Sequence, residues 1–174
     1  VLLPGVYNVA AAGSLADTLT LDGNNDTTSL FIIRFGGAYS VGAASKVLLT
    51  NGAKARNVFW ISEGAISLGA NTLMKGTLIS NNAAISAAAG TNLEGRMFST
   101  TGAIAFGPGT AYIPSGTSII DFGVLESFVM FTSIGAVANT EPSYITGDVG
   151  TNLGAISGFG NLNGNIYGPG AAPN

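Results

Sequence analysis

Asp22-Gly23-Asn24-Asn25-Asp26 sets side-chain oxygens at alternate positions, as the opening of a calcium loop does. The glycine that should follow is Thr27, and the position that should carry the closing carboxylate is Ile33. The run reads instead as a tight turn between strands. The remaining carboxylates are scattered singly among 9 acidic residues, so no acid/base pair stands out. There is no His and no Cys, which removes the commonest general base and the thiolate metal sites. Tyr144 to Gly150 has glycines at 147 and 150 but no phosphate-loop lysine. Serines and threonines abound without a base to activate them. No catalytic residue, metal ligand or cofactor site is predicted, and an enzyme is not expected.

The spacing that does carry information belongs to small and apolar residues. Ile66, Ile85 and Ile104 recur every 19 residues, as do Thr72, Thr91 and Thr110, and Gly76 and Gly95 keep the same interval. Short strand-like runs punctuated by Gly and Asn at a fixed period near 20 mark a β-solenoid, in which each coil buries its apolar side by stacking on its neighbours. The expected fold is all-β, with coils of about 19 residues and no long helix. Residues 1–117 form the main run of coils, and a polar joint, Pro114 to Ser118, precedes a further set in 118–174. One helical turn is expected near Leu125-Glu126-Ser127.

Aligning the coils predicts three faces. Along the first strand, alternation turns Tyr39/Val41, Ile66/Leu68, Ile85/Ala87 and Ile104/Phe106 inward. It leaves Ala38, Ser40, Ala65, Ser67, Ala84, Ser86, Ala103 and Ala105 outward as a flat, uncharged ladder with rungs about 4.8 Å apart. This ladder is the candidate binding plane; a bland solvent-facing surface is the alternative. The Thr72/Thr91/Thr110 column is a weaker alternative plane, since it shares the parity of Met74 and Leu93 and is expected inside. The second face carries Lys46, Lys75 and Glu94 to solvent. The third strand is apolar on both sides, with Phe59, Leu78 and Met97 facing one way and Trp60, Ile79 and Phe98 the other. Such a strand is normally covered on both faces, so these six residues are candidates for an assembly face, packed by a neighbouring copy or by further polypeptide.

Only 9% of residues are charged, against about 25% in ordinary soluble domains. Ala, Ser, Thr, Asn and Gly must therefore form the exterior. A net charge of −3 gives no reason to expect nucleic acid or an anionic membrane as partner. No apolar run reaches the roughly 20 residues of a membrane span.

Several runs resemble the microbial ice-binding protein family, in its Bacteroidetes-like branch: Leu3-Pro-Gly-Val-Tyr7, Thr18-Leu-Thr-Leu-Asp22, Ser29-Leu-Phe-Ile-Ile33, Asn57-Val-Phe-Trp60, Leu93-Glu-Gly-Arg-Met97, Phe128-Val-Met-Phe131 and Ile145-Thr-Gly-Asp-Val-Gly-Thr151. The resemblance implies a three-sided, right-handed β-solenoid with a long helix along one face. In that family the part similar to 119–174 comes first, the helix follows, and the part similar to 1–117 comes last. Here that order is reversed and the helix is missing. A circular permutant, one unit of a tandem array, and part of a longer polymeric protein all fit. The resemblance further implies a secreted or cell-surface domain with antifreeze character, whose partner is the ice/water interface. The Thr-Ala/Gly-x-Thr/Asn motif that some members carry has no match here. The alternative function is structural: a repeat unit of an extracellular filament or adhesin stalk, with copies of itself as partner.

Overall fold

A computed structural model of the protein describes residues 1–169. Its strands pair in parallel and wind repeatedly through a 7-stranded and a 13-stranded sheet, forming a β-solenoid. The 7-stranded sheet is the first face: Gly13–Leu15, Tyr39–Val41, Ile66–Leu68, Ile85–Ala87, Ile104–Phe106, Val137–Asn139 and Ile156–Ser157. The larger sheet bends around a corner and supplies the other two faces. Leu73–Ser80 and Thr91–Thr101 run through that corner without a break. Gly76 and Gly95 sit side by side there. Gly76 has φ +104°, and a Cβ on Gly95 would lie 1.9 Å from the Gly76 carbonyl oxygen, so the bend requires glycine at both positions.

Alternation fills the inside with columns of one side chain per coil. Tyr39, Ile66, Ile85, Ile104 and Val137 form one column behind the first face. Met74, Leu93, Ala111, Ile145 and Leu162 form another behind the second. Ile33, Trp60, Leu78, Met97, Met130 and Val149 back the third. Burying each larger side chain contributes about 1.5–3 kcal/mol, and no coil can do this alone. An aromatic stack ties the early coils together: Phe35 on Tyr39 at 4.3 Å and Tyr39 on Trp60 at 5.4 Å. Trp60 Nε1 donates to the Lys75 carbonyl at 2.8 Å, and burial pushes the Tyr39 phenol up from its ordinary value.

The Thr column of the sequence reading is corrected. Thr72 and Thr91 are buried at a corner, their hydroxyls 3.3 Å apart, but Thr91 pairs with Gly109 and Thr110 pairs with Asn92. The turn at Gly107-Pro108 is one residue short of the repeat and shifts the next strand.

The third strand is corrected as well. Trp60 aligns with Leu78 and Met97, not with Ile79 and Phe98. Trp60, Leu78 and Met97 all lie in the core. The outer rows hold Phe59, Thr77 and Arg96, and beside them Ile61, Ile79 and Phe98. The connection after Gly109–Tyr112 covers these rows before Phe128–Ile134 begins. This strap runs back across the third face. Arg56 Nη1 donates to the Ser115 carbonyl at 3.1 Å, and Ser118 Oγ donates to the Arg56 carbonyl at 2.8 Å. A short 3-10 turn, Gly123–Leu125, then brings the Phe122 ring within 5.9 Å of Phe59 and 5.5 Å of Phe98. Phe59 and Phe98 are buried as a result, and Ile79 is half-buried. The expectation that Phe59, Trp60, Leu78, Ile79, Met97 and Phe98 form an assembly face is overturned: the chain covers them itself. Pro114 to Ser118, expected as a joint, is the start of that cover, and the ladder runs on unbroken from Met97 to Met130 and Val149.

Candidate functional site

The first face is built from the turns inward. Asn71 and Asn82 take left-handed conformations, φ 58° and 67°, which asparagine tolerates better than most residues. These turns deliver three-residue strands in strict register: Ser40 opposite Ser67, Ser67 opposite Ser86, and Ser86 opposite Ala105. In each strand the flanking residues are buried and the middle one is exposed. The structure therefore places Ser40, Ser67, Ser86 and Ala105 in one outward column. Ala38, Ala65, Ala84 and Ala103 form a second, each receiving at its carbonyl the amide that opens the strand of the preceding coil. All eight side chains are exposed.

The plane is longer than its sequence period. Ser14 pairs with Ser40 at one end, and Ala105 continues to Ala138 and Ser157 at the other. Ala12, Ala136 and Ala155 extend the alanine column beside them. A third column borders the serines: Gly42, Gly69, Ala88 and Gly107, whose amides each bond to the preceding coil. The sequence reading missed these end rungs because longer loops break the 19-residue spacing there. The signal was present in the triplets Ala12-Gly-Ser14, Ala136-Val-Ala138 and Ala155-Ile-Ser157. Seven rungs at about 4.8 Å give a plane roughly 29 Å long. Three columns two residues apart give a width of about 13 Å. None of these positions carries a charge.

The other faces differ. On the second, Lys75 Nζ pairs with Glu94 at 2.8 Å, and Tyr144 stands out to solvent. The third lies under the strap. At the C-terminal border of the plane, the Glu141 carboxylate accepts from the Ser143 amide at 2.9 Å and from Gly160 and Asn161. These bonds, the Ser143 amide first, hold its carboxyl below the usual range. They clasp the last coils together. In the Asp22–Asp26 turn, Asp22 accepts from the Asn24 amide and from Asn51 Nδ2, and Asp26 accepts from Thr28. The carboxylates close the turn, and among the described residues no cluster of metal-ligating side chains forms.

A family model described as ice-binding-like matches residues 1–110. The chain belongs to the ice-binding-like family. The solved structure of an ice-binding protein from an Antarctic Flavobacteriaceae bacterium is 43% identical, matches with a TM-score of 0.66, and covers 98% of this chain and 43% of its own. The solved domain of Shewanella frigidimarina ice-binding protein 1 is 36% identical over 60% of this chain and 44% of its own, with a TM-score of 0.58. Among curated proteins, ice-binding protein 1 of the same organism is 41% identical over 81 residues, 45% of this chain and 9% of that protein. The ice-binding protein of Flavobacterium frigoris is 29% identical over 45% of this chain and 28% of its own length. The chain thus spans less than a third of either curated relative. Ice-binding proteins are a non-enzymatic family, in keeping with the sequence's lack of a catalytic constellation. No helix among the described residues is long and apolar enough to cross a membrane.

Proposed function

We propose that this ice-binding-family chain binds ice through its first face, with Ala38, Ser40, Ala65, Ser67, Ala84, Ser86, Ala103 and Ala105 at the centre of the contact. One observation carries the reading: an uncharged plane of methyl and hydroxyl groups is held in register over seven successive strands. Crystalline water is a rigid, repeating ligand, and it is matched best by a rigid, repeating surface. Methyl groups leave their hydration water free to take the lattice arrangement, while hydroxyls both donate and accept within it. A charge would orient that water around itself. The columns behind the plane keep it from flexing, so little order is lost on contact. The working location is extracellular, where ice is met.

The filament alternative has lost its lateral apolar face to the strap and is not favoured by any other observation. Thermal hysteresis and ice-crystal shaping test the proposal directly. The chain should show both, and Ser67→Tyr should abolish them with the fold intact. An unmodified chain with neither activity removes the reading.

A further inference from the structure

Arg96 is enclosed beneath the strap at 1% exposure, on the side of the solenoid away from the small-residue plane. Its Nη2 donates to the Glu126 carbonyl at 3.0 Å and lies 3.4 Å from Glu126 Oε1. The guanidinium carbon sits 4.9 Å from the centre of the Phe122 ring. This uses only part of what the guanidinium offers. Arg96 Nε and Nη1 have no partner in the protein, and neither does Glu126 Oε2. Thr77, the register partner of Arg96 on the same outer row, is fully buried with its hydroxyl also unpaired.

Four buried polar atoms on three neighbouring residues lack a protein partner, at an edge where the Glu126 side chain is 40% exposed, and each bond left unmade costs about 1–3 kcal/mol. The donors and acceptors are mixed. Three N–H bonds on Arg96 need an acceptor, the Glu126 oxygen needs a donor, and the Thr77 hydroxyl can be either. An anion would satisfy Arg96 but would be set against the Glu126 carboxylate beside it. A cation would meet Arg96. Water alone both donates and accepts, and an internal water typically makes about three such bonds.

We propose that internal water held beneath the strap joins Arg96 Nε and Nη1, Thr77 Oγ1 and Glu126 Oε2 into one network. Thr77 and Arg96 are positioning residues of that site. They hold the strap, and with it Phe122, over Phe59 and Phe98. The strap is therefore fastened by a hydrated polar latch at one end as well as by its aromatic contacts.

The test uses the chain as it stands, with a high-resolution crystal structure and water-to-protein ROE spectra. Expected are ordered water at hydrogen-bonding distance from Arg96 Nη1 and Glu126 Oε2, and an ROE between a long-lived water and Arg96 Hε. In Thr77→Val, which keeps the strand's shape, that ROE should weaken and Arg96 Hε exchange should quicken on the order of tenfold, with thermal hysteresis unchanged. Three results would overturn the proposal. Glu126 could close on Arg96 as a dry two-bond fork. A bromide soak could place a halide at Arg96. Or Thr77→Val could leave both the ROE and the exchange rate as they were.

Discussion

Ala84→Tyr is the sharpest perturbation of the candidate plane. Ala84 lies on the middle rung and is exposed, so nothing in the core moves. A tyrosine ring there stands on the order of 6 Å above the neighbouring methyls, more than a full rung spacing. Plane and crystal are both rigid, so the bump tilts or lifts the contact. The plane covers roughly 380 Å², taking about 29 Å by 13 Å. Losing half of it removes contact worth up to about 5 kcal/mol at 25 cal/mol per Å². Even a third of that figure weakens adsorption about tenfold. Folding stability should stay within about 0.5 kcal/mol, or some 2 °C in Tm. Asn92→Tyr is the control, because Asn92 is exposed on the second face. Nanolitre osmometry and ice-shape microscopy should find hysteresis lost in Ala84→Tyr and kept in Asn92→Tyr. The opposite outcome would refute the assignment of the first face.

Other perturbations separate fold from function. Phe122→Ala removes the ring that covers Phe59 and Phe98; a loss of about 2–3 kcal/mol and new dye-binding apolar surface are expected, with hysteresis retained. Gly95→Ala puts a methyl into the Gly76 carbonyl at the corner; more than about 4 kcal/mol should be lost, read as a collapse of Tm or of soluble yield. Glu141 has a carboxyl held below its ordinary 4.5 by the Ser143 amide and its other partners, so its contribution is complete above pH 4.5 and disappears as pH falls through the lowered value. Tm measured down that range should drop, and Glu141→Gln should flatten the drop.

The parts of the fold legible in the sequence are those where one coil repeats the last without insertion. Ile66, Ile85 and Ile104 share a column because the coil from Ile66 to Ile85 and the coil from Ile85 to Ile104 have the same length. Side-chain parity alone then gives the inward and outward sets of the first face. The errors arise where loops change length. A single missing residue at Gly107-Pro108 moved Thr110 out of the Thr72/Thr91 column. On the third face, Trp60 was put one position out of phase because the loop before Val58–Ser62 includes a 3-10 turn, Ala55–Asn57, that resets the register. Burial by the strap was invisible for another reason. A strand with apolar residues on both sides says that a cover exists, not which segment provides it. Phe122 is a single aromatic in an irregular run, and the contacts of Arg56, Phe59, Arg96 and Phe98 with 115–126 show where that run lies.

The two outer surfaces explain each other. A face of Ala, Ser and Gly has almost no side-chain mass of its own and cannot keep itself flat. Its flatness comes from the columns behind it, chiefly Tyr39, Ile66, Ile85, Ile104 and Val137 and, beside them, Val41, Leu68, Ala87 and Phe106. Those columns are fixed in turn by the sheet opposite, where Trp60, Leu78 and Met97 press inward. If the third face were left open, its outer Phe59 and Phe98 would invite other partners and loosen the strands that carry the inner row. The strap closes that side within the same chain, and Arg96 and Phe122 fasten it. Anchoring thus resides on one face and recognition on another, which leaves the recognition face free of bulky or charged side chains. Changes at the strap should therefore reach the plane only through its stiffness and not through its chemistry.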